Sequence, residues 1–425
     1  MTANKMLELV NSADFSRVTD FAARLIRQSS LSGREKPVVE LCLREAQALG
    51  FLQAGADALG NFIGRVQVGD GRGPKILLSG HLDVVNADPA EWSADTGPWS
   101  GAIKQGRLYG RGASDMKGAV ACMLHAAALC AKLPADGFSG QVFFSGTVVE
   151  ELFEGVCFLE VLRAIKPDYV IIGEATECRI NIGQRGRGEA VVAVHGIPRH
   201  ASSGRETINP IEQAAAVIDA FHRFYRPAED SLLGRRDIVP TDIKIPVGGG
   251  GGLDGRGGNS TVPNRVEINY DVRLHEGDTI ESICRLMRDQ LRPMEAEGRL
   301  VFPPGREVEI YIADDSCTTY TGIQLRQPKF APAWKTPADS ELVRGAQAGL
   351  EAAGLPVKLG AYRFCTDGSA LVAYRREQGA GACQVIGFGP SRENLAHVVD
   401  EYVELDELRR AWTGYAMMAA ELLRR

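Results

Sequence analysis

Of two histidines and three carboxylates, His81, Asp115, Glu151, Glu174 and His397, most directly follow a short apolar, β-rich run of this chain. Residues 75–79 precede His81, residues 141–149 precede the pair Glu150-Glu151, residues 169–172 precede Glu174, and residues 384–388 precede the loop carrying His397. In open α/β sheets, ligands bind in the crevice beyond the carboxyl ends of the strands. Imidazoles and carboxylates converging there make a donor set for divalent cations, with the further acids Asp83 and Glu150 beside it. Metal-assisted hydrolysis is the chemistry such a set serves.

Each element of the set has a local logic and an ordinary alternative. In His81-Leu-Asp83 the imidazole is a cation ligand and the Asp83 carboxylate a partner for its second ring nitrogen; the alternative is a loop histidine with a solvated aspartate. Gly110-Arg-Gly-Ala-Ser-Asp115-Met-Lys-Gly118 places Asp115 where a glycine-rich loop meets a helix, as a ligand in a crowded centre or as a helix cap. The adjacent acids Glu150 and Glu151 repel each other unless a cation neutralises them or one holds a proton. A division of labour removes the conflict, with Glu151 on metal and Glu150 as general base. An exposed helix start, where acids suit the macrodipole, is the competing explanation. Glu174 emerges from an apolar strand, where packing alone explains a charge poorly.

These side chains need a scaffold. Up to about residue 185 the pattern alternates helix and strand: helical spacing over 14–50, strands at 61–68 and 75–79, a buried helix over 114–133, then strands at 141–149 and 169–172. Such alternation predicts an α/β fold with a mainly parallel sheet. After Gly186 the order becomes strand 189–196, helix 209–225, strands 237–247 and 266–274, helix 279–291 and strand 307–312. That βαββαβ order is the ferredoxin-like motif. The glycine-rich run 248–258 joins its middle strands and lacks the Gly-Lys-Ser/Thr ending of a phosphate loop. Helices over 337–354 and 405–423 flank a strand at 384–388 that completes the first sheet. The expected division is therefore 1–186 and 321–425 as a catalytic domain, with 187–320 inserted into it.

Composition bounds the alternatives. A chain of 425 residues that is 44% hydrophobic and 24% charged has the make-up of a soluble two-domain protein. Its net charge of -6 offers no electrostatic footprint for nucleic acid. No apolar stretch has the length of a membrane span. The nine cysteines are scattered and contain no Cys-x-x-Cys pair, which suits reduced thiols and a cytoplasmic location. A nicotinamide-dependent oxidoreductase is disfavoured, because no Gly-x-Gly-x-x-Gly opens a helix after the first strand.

In Ser79-Gly-His-Leu-Asp-Val-Val85, Gly110–Gly118, Glu150-Glu151, Gly173-Glu174 and Ala396-His-Val-Val-Asp-Glu401 the chain resembles the metal-dependent aminoacylase and exopeptidase family. That family includes acetylornithine deacetylase, succinyl-diaminopimelate desuccinylase and the glutamate-releasing carboxypeptidases. The resemblance implies a catalytic domain interrupted by a lid and dimerisation domain, hence a homodimer or larger homo-oligomer. It implies one or two divalent ions, zinc by default and manganese or cobalt as alternatives. His81, Asp115 and Glu174 would hold one ion, and Asp115, Glu151 and His397 the other. Asp83 would orient His81, and Glu150 would act as base and acid. In the lid, His200 would support oxyanion charge in a partner's site and Arg273 would grip a substrate carboxylate. Asn259 stands one position from the lid asparagine of the family, and Ser260 holds its place. The implied reaction is amide deacylation of a small carboxylated substrate. A second enzymatic reading is an aminohydrolase releasing ammonia from an activated aromatic amine such as a nitro-substituted aminobenzoate, with Tyr362, Phe364 and Trp99 lining the pocket. A third, of another class, is a catalytically silent metal-binding or structural homologue.

Overall fold

The computed structural model describes residues 2–246 and 260–425, so the glycine-rich run 248–258 and Asn259 lie outside the described residues. The chain forms two compact units, one of Met1–Gln184, Ser316–Arg326 and Trp334–Arg425, the other of Arg185–Asp315 and Gln327–Ala333. Among the described residues no helix is long and apolar enough to cross a membrane.

The larger unit is built on a nine-stranded sheet. Its strands are β1 (Gln53–Ala56), β2 (Phe62–Val68), β3 (Lys75–His81), β4 (Gly140–Thr147), β5 (Tyr169–Ile172), β6 (Ile180–Gln184), β7 (Trp334–Lys335), β8 (Leu359–Tyr362) and β9 (Gln384–Gly387). The spatial order is β1-β2-β4-β3-β5-β9-β6-β7, with β8 paired to β6. The sheet is mixed. Parallel pairing holds its centre, β4-β3-β5-β9, while β1 and β2 run antiparallel at one side and β6 and β7 add antiparallel ladders at the other. Central strands covered on both faces need continuous apolar runs. Ile76, Leu77 and Leu78 of β3 and all of β5 are buried accordingly.

Register then fixes the geometry. His81 pairs with Thr147 and Ser79 with Ile172, so β3, β4 and β5 stop at nearly the same level. The residues that follow each strand therefore emerge at one edge.

Helix Gly118–Cys130 lies buried along its whole length, which explains why it has no polar face. It packs against helix Leu405–Leu422 and the sheet. The helical spacing over 14–50 resolves into two helices, Ser16–Ile26 and Lys36–Ala48. Gly33 at φ 80° turns the chain between them, and Pro37, which lacks an N–H, opens the second.

The smaller unit carries an antiparallel sheet in the order Ile238–Lys244, Arg265–Leu274, Gly186–His195, Glu309–Ile312, with Phe330–Ala331 added beside Gly186–His195. With helices Pro210–Phe224 and Ile280–Ala296 this is a ferredoxin-like arrangement. Strand Arg265–Leu274 alternates buried and half-buried residues, the period of a sheet with one covered face. Val266, Ile268, Tyr270 and Val272 meet Val217, Phe221, Ile283 and Met287 of the helices in one core.

Candidate metal centre

The strand ends bring the expected side chains together. His81 closes β3 and is buried; its Nε2 lies 2.9 Å from Asp115 Oδ1 and 3.5 Å from Glu174 Oε1. His397 Nε2 lies 3.2 Å from the other Asp115 oxygen and 3.1 Å from Glu151 Oε2. Asp115 thus joins the two imidazoles, one carboxylate oxygen to each. Glu150 sits 3.9 Å from His81 Nε2, and its carboxylate forms no hydrogen bond with a described residue.

Asp115 does not cap the helix. It lies in a wide turn, Ala113–Lys117, with extended backbone (φ -129°, ψ 92°), and the helix beginning at Gly118 has no side-chain cap. The turn is held from the far end of the chain. Glu401 accepts the N–H groups of Ser114 and Asp115 at 2.8 and 3.1 Å and pairs with Arg111 at 2.5 Å. Arg111 in turn donates to the His397 carbonyl at 3.3 Å. Asp400 accepts from Ser93 and Thr96, which pins the loop carrying His397. Arg111 and Glu401 escaped the reading of roles from sequence, although both stand inside the matching motifs.

The role expected of Asp83 divides in two. Its backbone carbonyl, at 2.9 Å, contacts His81 Nδ1, while its carboxylate stands 3.7 Å from that nitrogen. The carboxylate instead accepts the N–H groups of Glu150 and Glu151, both at 3.1 Å, and the Ser32 hydroxyl at 2.7 Å. Asp83 therefore shapes the turn that presents the two glutamates. Backbone donors are the stronger claim on its charge.

Two glycines make room beneath the ligands. A Cβ at Gly80 or Gly173 would come within 2.6 and 2.4 Å of the buried Met116 and Met123 side chains respectively. Tyr362 corrects an expectation. It is 1% exposed and hydrogen-bonds the carbonyls of Ile172 and Glu174, so it buttresses the Glu174 loop and lines no aromatic pocket. In the smaller unit, His200 is exposed with Nδ1 2.8 Å from the Ser202 hydroxyl, and Arg273 is ion-paired to Asp271 at 2.8 Å.

The electrostatics call for added positive charge. Burial, and after it the neighbouring carboxylates, push Glu150, Glu151 and Glu174 upward. Burial opposes a charge on His81, yet Glu150, Asp115 and Glu174 hold its imidazolium well above the ordinary range. Hydrogen bonds to Asp115 and Glu151 push His397 up to about 10. Asp115 is the exception: against its burial, the hydrogen bonds to His397 and His81 hold it well below the usual carboxylate range. Buried acids with raised proton affinity around it mark a site short of positive charge. Donor atoms of His81, Asp115 and Glu151, and likewise of His81, Glu150 and Glu174, lie within 4.8 Å of one another. The oxygen and imidazole donors, with no thiol among them, fit divalent ions.

Comparison with known proteins shows the family of the chain. The model of peptidase family M20/M25/M40 matches residues 77–421. The chain is similar to acetylornithine deacetylase of Vibrio vulnificus, 28% identical over 341 residues, covering 80% of this chain and 79% of that one. It is similar to succinyl-diaminopimelate desuccinylase of Methylobacterium radiotolerans, 28% identical over 358 residues, covering 81% and 80%. In fold it is similar to the YXEP protein of Bacillus subtilis, described as a dinuclear metal binding peptidase, with a TM-score of 0.63 at 15% identity, covering 96% and 98%.

Proposed function

Because the chain belongs to peptidase family M20/M25/M40, a family of metal-dependent hydrolases, we propose that it cleaves the amide bond of a small carboxylate-bearing substrate with Glu150 as general base. The observation that carries this reading is the position of Glu150. Its carboxylate is buried beside His81, unclaimed by a hydrogen bond from any described residue, and burial raises its proton affinity. A carboxylate whose proton affinity is raised is better matched to taking a proton from water and returning it.

His81, Asp115 and Glu174 would hold one cation and Asp115, Glu151 and His397 a second, with Asp115 shared. When bound, such ions supply Lewis acidity and lower the pKa of coordinated water. Glu150 takes the proton of the attacking water on a carboxylate oxygen and delivers it to the departing nitrogen. Asp83 keeps Glu150 and Glu151 on adjacent tasks by gripping their backbone N–H groups. We read the smaller unit as a lid and dimerisation domain, with His200 supporting oxyanion charge and Arg273 binding a substrate carboxylate. Zinc is the ion first expected at these ligands. Of the three aromatics the aminohydrolase reading would use, Tyr362 turns inward.

The test is a hydrolysis screen of acylated amino acids against aromatic amines, with metal content measured alongside. Glu150→Gln should retain metal and lose roughly 10²–10⁴-fold in turnover. Unchanged turnover in that variant removes Glu150 as the base, and ammonia release from aromatic amines alone reverses the choice of reaction.

A further inference from the structure

A cavity of about 380 Å³ opens in the larger unit where the loop after β5 meets the loop after β9. Its volume lies in the range of roughly 300–1,000 Å³ that small-molecule sites occupy. Four cations line it, Arg179, Lys358, Arg392 and Arg410, against two acids, Glu177 and Glu407. Both acids are committed. Glu177 lies 3.5 Å from Arg179; Glu407 lies 3.6 Å from Arg410 and accepts the Ser391 N–H at 3.0 Å. The side chains of Lys358 and Arg392 form no hydrogen bond and no ion pair with a described residue. In a chain of net charge -6 this local surplus of cations runs against the whole. Phe388 supplies an apolar floor.

The wall of the cavity is conformationally unusual. Glu177 and Cys178 are consecutive left-handed residues, φ 56° and 58°, and Ser391 opposite them has φ 70°. Two hydrogen bonds hold them, Glu177 N–H to the Ser391 carbonyl at 2.7 Å and Cys178 N–H to the Gly389 carbonyl at 2.8 Å. Non-glycine backbone of this kind persists where its surroundings over-determine it, and it clusters at ligand clamps and switch regions.

We propose that this cavity binds a small organic dianion, a dicarboxylate or a phosphomonoester, and that its occupancy is coupled to the metal ligands. Arginine forks suit both anions. The coupling runs through named contacts. Ser391, held by Glu407, meets the Ser114 hydroxyl at 2.8 Å, one residue before Asp115. The loop that carries Glu177 and Cys178 starts at Gly173-Glu174, and the Thr176 hydroxyl ties it to Gly389 at 3.0 Å. An anion that draws Arg392 and Arg410 inward therefore acts on the backbone around two ligands. The coupling rests on the metal-centre reading above; the binding does not.

The 425-residue protein is titrated by calorimetry with succinate and, separately, with inorganic phosphate at matched ionic strength. Saturable binding is expected, at least tenfold weaker in the Lys358→Ala/Arg392→Ala double variant, and the preferred anion distinguishes carboxylate from phosphate recognition. The substituted side chains form no hydrogen bond and no ion pair with a described residue, and circular dichroism checks the fold of the variant. Arg410→Ala provides a second, independent loss of affinity. Absence of binding for both anions, or equal binding by the double variant, overturns the site. Zinc titration of chelator-stripped protein then reads the coupling, with at least a twofold change in apparent affinity expected under saturating anion. The double variant corrects for zinc taken up by the anion itself. Binding with no such change overturns the coupling and leaves the metal-centre reading intact.

Discussion

His81 and Glu174 grow out of buried parallel strands, whereas His397 is carried by an exposed loop with a left-handed backbone, φ 65°, at that residue. The first pair is placed by sheet register and by packing on Met116 and Met123. The second half depends on polar ties across nearly three hundred residues, Glu401 to the Asp115 turn and Asp400 to Ser93 and Thr96. One half of the centre is thus set by the core, and the other by a few charge-assisted hydrogen bonds.

Substitution of the two histidines should separate the halves. His81→Ala removes a buried imidazole from among acids and is expected to abolish metal retention, with activity falling by roughly 10³-fold or more, as when a principal electrostatic stabiliser is lost. His397→Ala should lose one equivalent of metal while the protein stays folded, measured by elemental analysis and thermal melting. Equal metal loss in both would erase the distinction. Next in size, Glu401→Gln weakens the support of Asp115 and the His397 loop, and metal affinity should fall roughly 10–100-fold, as for other supports of metal ligands.

A compensated acid elsewhere gives the contrast a scale. His125, and after it Arg24, hold Glu45 down at about 2 against its burial, the reverse of what happens to Glu150 and Glu174. A depressed carboxyl contributes stability above its unfolded value near 4.5, and that stability drains away as pH falls towards 2. By linkage it amounts to at most about 3 kcal/mol. Glu45→Gln should flatten the acid limb of a stability profile between those limits, and an unaltered limb would assign acid unfolding to other groups. The smallest effect is expected from Tyr362→Phe, which removes a buried hydroxyl from the Glu174 loop. A cost of about 1 kcal/mol, with substrate preference unchanged, fits a buttress; a changed preference would return Tyr362 to the pocket.

The strand-borne half was the more legible in sequence, for the same reason that it is rigid. Apolar runs ending in an acid or a histidine announce both the strand and the ligand, and residues 75–79, 141–149 and 169–172 overlap β3, β4 and β5 closely. Asp115 was harder. Its glycine-rich surroundings suit a cap as well as a ligand, and the wide turn at Ala113–Lys117 removes the cap. Arg111 and Glu401 were invisible as partners because their pairing joins opposite ends of the chain. Tyr362 misled because an aromatic next to a catalytic loop looks alike from sequence whether it faces substrate or core. The mixed sheet has a similar cause, since nothing in the pattern of a strand such as β2 or β6 marks its direction against its neighbours.

The glycines at 80 and 173 carry one more consequence. They let the backbone just before His81 and Glu174 pack against the thioether chains of Met116 and Met123, and unbranched, polarisable methionines yield where branched neighbours would resist. The backbone beneath His81 and Glu174 is thereby compliant, so that a cation of a different radius at those side chains would impose a distortion that sulfur can absorb before the strands have to shift.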